Sequence, residues 1–151
     1  MPSNDSATES PLKLIYNKSF TEVNSITDTV AGLKDCKKIY FELITTKPEA
    51  LTVSTFYISG LLLMYNAKMN SNSNYPVWPS VGEITKIGEN YEIAKAWSCI
   101  ANTTNQNPTG SPGMQGLTRY MNKEMTKYTD EVKLTFQNAA TADVSLRIWG
   151  C

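Results

Sequence analysis

Three glutamates, three glycines and a basic triplet are the residues of this 151-residue chain whose types and spacing could do chemistry. Glycoside hydrolysis needs only two carboxylates of separated pKa, and Glu83, Glu89 and Glu92 lie close together in sequence. The spacing answers poorly. On a helix, Glu89 and Glu92 stand at i, i+3 on the side away from Ile84 and Ile87, where solvated acids are expected. Gly110, Gly113 and Gly116 precede a helical pattern, as in a loop that holds phosphate at a helix start. No strand pattern leads into them, and neither the phosphate-loop nor the dinucleotide glycine pattern is present. The stretch Asn102 to Gly113 therefore reads as a connector between two helices.

Arg119, Lys123 and Lys127 are spaced i, i+4, i+8, which makes a ridge on a helix whose opposite face carries Leu117, Met121 and Met125. Charges about 6 Å apart along the axis suit the phosphates of a single strand of RNA, and Tyr120 beside them suits stacking on a base. Tyr75 and Trp78, in a loop rich in Asn, Ser and Pro, are the candidate contacts to a partner protein. An ordinary solvated helical face competes with the ridge, and Glu124, Asp130 and Glu131 dilute its potential.

The chain has no histidine. Ser-His-Asp and Cys-His machinery and His-ligated zinc are thereby excluded, and any general base must be a shifted carboxylate, Lys, Tyr or Cys. Cys36, Cys99 and Cys151 are odd in number and widely spaced, matching neither a disulfide framework nor a zinc site. No catalytic residue, metal site or small-molecule cofactor is implied. Fourteen basic residues balance fourteen acidic ones, so no long-range field draws the molecule to nucleic acid or an anionic membrane. Residues 1–11 carry no basic leader, and no run approaches the roughly 20 apolar residues of a membrane span. The expectation is a soluble, cytoplasmic or intracellular protein, or a virion component if it is a viral coat subunit.

The elements that must position these residues read mainly as α. Beyond Met1, residues 1–11 hold no large apolar side chain and are expected to form a flexible N-terminal arm ahead of a single domain, 12–151. Ser19-Phe20-Thr21-Glu22 fits a capping box, followed by Phe20, Val23, Ile26, Val30 and Leu33 at steps of three and four. Residues 37–44 could continue that helix or form a strand. Leu51 to Met69 is apolar nearly all round, as in a central helix, although Thr52-Val53-Ser54-Thr55 opens it with β-branched residues. Ser80-Val81-Gly82-Glu83 repeats the capping box before Ile84, Ile87, Tyr91, Ala94 and Ala101. Met114, Leu117, Met121, Met125, Tyr128 and Val132 suggest a further helix. Then the period changes to two: Val132, Leu134 and Phe136, and Val144, Leu146 and Ile148, alternate with polar residues, as in a C-terminal β-hairpin. A continued helix is the alternative there.

These observations predict a helical bundle of four or five helices with a flexible arm and a C-terminal hairpin. The function expected of it is a non-enzymatic, self-assembling structural subunit of capsid or nucleoprotein type: a homo-oligomer that contacts single-stranded RNA and no membrane. A monomeric protein-binding or regulatory module, and then a small enzyme using carboxylate, Lys or Tyr chemistry, are the rivals.

Overall fold

In the computed structural model, backbone is described for residues 11–87, 91–100, 113–122 and 128–151, and side chains for 11–87 and 128–151. Ten strands form within them: β1 (Lys13–Val23), β2 (Ser25–Thr29), β3 (Lys38–Thr46), β4 (Leu51–Ile58), β5 (Leu61–Met69), β6 (Val77–Ile87), β7 (Tyr91–Ile100), β8 (Gly113–Asn122), β9 (Glu131–Phe136) and β10 (Ala142–Gly150). The described helical turns are two short 3-10 segments, Leu33–Asp35 and Gln137–Ala139. The expected helical bundle is overturned, and no described helix is long and apolar enough to cross a membrane.

One sheet has six strands in the order β1-β10-β3-β6-β7-β8, the other four in the order β2-β9-β4-β5. Every pairing is antiparallel. Without the β7–β8 hairpin, what remains is β1-β10-β3-β6 facing β2-β9-β4-β5. That is the eight-stranded double Greek key known as a jelly roll. The hairpin extends one sheet beyond that core.

Alternation explains why these segments are strands. Along β3, Ile39, Phe41, Leu43 and Thr45 are buried while Tyr40, Glu42 and Ile44 are less so; along β10, Val144, Leu146 and Ile148 are buried while Asp143 and Arg147 are exposed. Such a pattern removes apolar surface from water only when one face of each sheet is covered. The inward faces meet in the middle, where the rings of Phe41 on β3 and Phe56 on β4 pack edge to face at 5.1 Å.

Each expected helix has a strand in its place. The first capping box lies inside β1, and the second lies inside β6. The supposed central helix is the β4–β5 hairpin, which turns at Ser59 and Gly60 with φ of 56° and 83°. Two residues at positive φ make the tight turn whose twist suits adjoining strands. The buried Ser59 fixes it: its amide donates to the Glu131 carbonyl at 2.9 Å and its hydroxyl to the Thr129 carbonyl at 2.7 Å. The C-terminal strands exist, but they do not form a hairpin. β9 belongs to the four-stranded sheet and β10 to the six-stranded one, so the chain crosses between layers at Gln137–Ala139. Residues 1–10 of the expected 1–11 arm, and residues 102–112 of the connector, lie outside the described residues.

β1 and β2 are edge strands of opposite sheets, and polar side chains join them. The Tyr16 hydroxyl donates to the Asp28 carboxylate at 2.9 Å, and the Lys18 ammonium meets the same carboxylate at 2.6 Å. The hydrogen bonds from Lys18 and Tyr16, then that of the Thr29 amide, hold the Asp28 carboxyl below its usual range. Burial, followed by the hydrogen bond to Asp28 and its charge, pushes the Tyr16 hydroxyl above its ordinary value.

Two outcomes check this architecture. Phe56→Ala should destabilise by about 3–5 kcal/mol through a core cavity, whereas Tyr65→Ala, at a side chain 72% exposed, should stay within about 0.5 kcal/mol; urea unfolding midpoints read both. Because Asp28 titrates lower when folded, its stabilisation is complete above the ordinary carboxylate range and is lost as pH falls through its own depressed value. Asp28→Asn should therefore flatten the acid limb of a stability-against-pH curve.

Candidate interaction surface on the six-stranded sheet

Burying Val144, Leu146 and Ile148 forces Ser145, Arg147 and Trp149 onto the outer face of the six-stranded sheet, because side chains alternate along a strand. The registers β1–β10, β10–β3 and β3–β6 lay the outward residues in rungs. Leu14, Trp149, Tyr40 and Glu83 form one; Asn17, Arg147, Glu42 and Val81 the next; Ser19, Ser145, Ile44 and Pro79 the third. Leu14 is 50% exposed at one end of this face and Val77, beyond the third rung, 51% exposed at the other.

At its centre four side chains hold one another. The Tyr40 and Trp149 rings lie 5.4 Å apart at a tilt of 47°. The Arg147 guanidinium sits 5.8 Å from the centroid of the Trp149 ring and 3.4 Å from the Glu42 carboxylate. Tyr40 donates its hydroxyl to that same carboxylate at 3.3 Å. Burial, then the Glu42 charge and this hydrogen bond, raise the Tyr40 hydroxyl pKa. Tyr, Trp and Arg are the residues that carry most binding energy at protein interfaces, and side chains already restrained by one another lose less freedom when a partner covers them.

The residues singled out from sequence are placed differently. Arg119 and Tyr120 lie on a strand, β8, so the expected helical ridge has no counterpart; Lys123 and Lys127 lie outside the described residues. Tyr75 is 38% exposed in the loop before β6, in a turn where the Asn72 side chain accepts the Asn74 and Tyr75 amides. Trp78 is buried, 4% exposed, on the inner face of β6. Of the two aromatics, Tyr75 is thus open to solvent and Trp78 is not. Of the glutamates, Glu83 is exposed on β6 and Glu92 stands opposite Lys86, three rungs from Glu83; Glu89 lies outside the described residues. Sequence reasoning missed Tyr40, Glu42, Arg147 and Trp149. Their signal was the alternation along 38–46 and 142–150, which puts all four on one side of two strands.

On the opposite sheet an open depression of about 330 Å³ is lined by Tyr57, Gly60, Thr129, Glu131 and Lys133. Lys133 pairs with Glu131 at 3.2 Å, so the two charges there neutralise each other. Among the described residues no group of three His, Cys, Asp or Glu side chains is arranged to hold a metal ion.

No protein-family model matches the chain, and no curated protein matches it.

Trp78 yields a separate test. Among the described residues, its indole nitrogen and the hydroxyl of Thr45, directly opposite on β3, are buried without a hydrogen-bond partner. An unsatisfied buried polar atom costs about 1–3 kcal/mol. Thr45→Val should accordingly leave stability unchanged or raise it in chemical denaturation, where a Thr-to-Val change at a satisfied hydroxyl would lower it.

Proposed function

We propose that this protein is a non-enzymatic, self-assembling structural subunit, copies of which join through the outer face of the six-stranded sheet. The observation that carries this reading is the restrained cluster of Tyr40, Trp149, Arg147 and Glu42 on a face continuous with Leu14 and Val77.

Charge favours a second copy of the chain as the partner of this face. A cation and an anion side by side, Arg147 and Glu42, form a self-complementary pair: across a two-fold axis parallel to the sheet, lying in the plane of contact and passing between them, each Arg147 meets the other copy's Glu42. A net charge of zero leaves no overall repulsion to oppose the contact. The aromatic rung supplies the apolar area, and the ion pairs fix which way round the copies lie. Jelly rolls serve as coat subunits, and also as lectin domains and cupins, so the architecture is compatible with this role without selecting it. Without the helical ridge, nothing among the described residues supports the RNA contact expected from sequence.

Sedimentation velocity over a rising concentration series tests the proposal. Wild-type protein should gain mass with concentration. Trp149→Asp should remain monomeric with an unchanged far-ultraviolet spectrum, and Tyr65→Asp, on the opposite sheet, should behave as wild type. A wild type monomeric throughout, or equal effects of the two substitutions, would contradict it. A monomer that nevertheless captures a different protein through Trp149 would favour the binding-module reading.

A further inference from the structure

Cys36 and Cys151 stand 115 positions apart in the chain and are brought together where the end of β10 meets the segment entering β3. The Lys37 amide donates to the Cys151 carbonyl at 2.7 Å, and the Cys151 amide donates to the Lys38 carbonyl at 3.1 Å. With standard bond lengths, the first of these bonds keeps the two cysteine Cα atoms within about 7.5 Å at full stretch. A disulfide spans Cα separations of about 4.4–6.8 Å. The Cys36 sulfur sits on the core side of β10, where a Cβ placed on Gly150 would come within 2.6 Å of it; Cys151 lies past the end of β10, so closure takes a turn of this last residue toward the same side. Gly150, lacking that atom, leaves the room the sulfur occupies. Both thiols are free and half-buried.

We propose that Cys36 and Cys151 form a dithiol site that closes to an intramolecular disulfide on reaction with a small disulfide. With a small disulfide, one cysteine thiolate attacks a sulfur of the reagent. It forms a mixed disulfide and releases one reagent thiol. The second cysteine, as thiolate, then displaces the other half. Two protein thiols are oxidised, one reagent disulfide is reduced to two thiols, and the two protons pass to solvent and the departing thiolates. Burial raises the Cys36 thiol pKa, against the pull of the Lys86 ammonium and with a further rise from neighbouring Cys151, so closure speeds up with alkalinity. Cys99 is not placed to compete. It sits on β7 one residue beyond Ser98, which pairs with Ser80, whereas Cys36 precedes Lys38, which pairs with Thr85 at the other end of β6. The bridge would tie the strand carrying Trp149 and Arg147 to the chain ahead of β3, independently of whether copies assemble through that face.

Intact-mass and peptide-mapping mass spectrometry of the full chain after exposure to oxidised glutathione test the proposal. The expected result is a monomer lighter by two hydrogens, with the Cys36 and Cys151 peptides joined, unchanged in Cys99→Ser and lost in Cys36→Ser and Cys151→Ser. A higher thermal midpoint than the reduced form should accompany it. Stable glutathione adducts on either cysteine, a bridge that includes Cys99, or bridges formed only between molecules would overturn it. Circular dichroism of the reduced serine variants separates a lost bridge from a lost fold, and the Cys99→Ser result decides the proposal if either variant fails to fold.

Discussion

Closure of the two inward faces on each other is the constraint from which the other features follow. Phe41, Leu43 and Ile39 of β3 and Phe56, Val53 and Ile58 of β4 leave water together, in one core between the two sheets. A shift of one residue in either register would turn these side chains out and their polar neighbours in. The same parity determines the outer surface. Trp149, Arg147, Tyr40 and Glu42 face outward because Ile148, Leu146, Phe41 and Leu43 must face inward. The candidate interface is therefore a geometric consequence of the core.

The margins of the sandwich depend on local chemistry. At one edge, the carboxylate of Asp28 on β2 receives Tyr16 and Lys18 of β1, which joins the edge strands of the two layers. At the hairpin between β4 and β5, Ser59 is braced on the residues that enter β9. In β6, pairing to β7 starts at Ser80, one residue past Pro79, whose nitrogen has no hydrogen to offer a ladder.

Only part of this was legible in the sequence. The alternation of residues 132–136 and 144–148 identified two strands, but nothing local to them says that they join different sheets. Residues 38–44 alternate as cleanly, with Ile39, Phe41 and Leu43 inside. The helical misreading has a specific cause in β-bulges, each of which adds one residue and turns a two-residue step into a three-residue one. The β1–β10 register shifts between Phe20 and Val23, where Glu22 has a φ of 49°. A shift between Val53 and Thr55 in the β4–β9 pairing lets Val53 and Phe56, three apart, both be buried. These irregularities imitate the steps of a helix. The β-branched run Thr52-Val53-Ser54-Thr55 was the better guide, since such residues fit a pleated surface. The outer cluster was illegible for a different reason: its members are separated by about a hundred residues and meet only through the β3–β10 register.

If copies meet through this face about a two-fold axis, its central charges must be complementary between molecules as well as within one. Glu42→Arg makes the centre wholly cationic and Arg147→Glu makes it wholly anionic. The most direct measurement is sedimentation equilibrium of each variant alone and of the two mixed in equal amounts. The account predicts monomers for each alone and association restored in the mixture. Association of either variant by itself at wild-type strength, or a mixture that stays monomeric while the wild type associates, would contradict it.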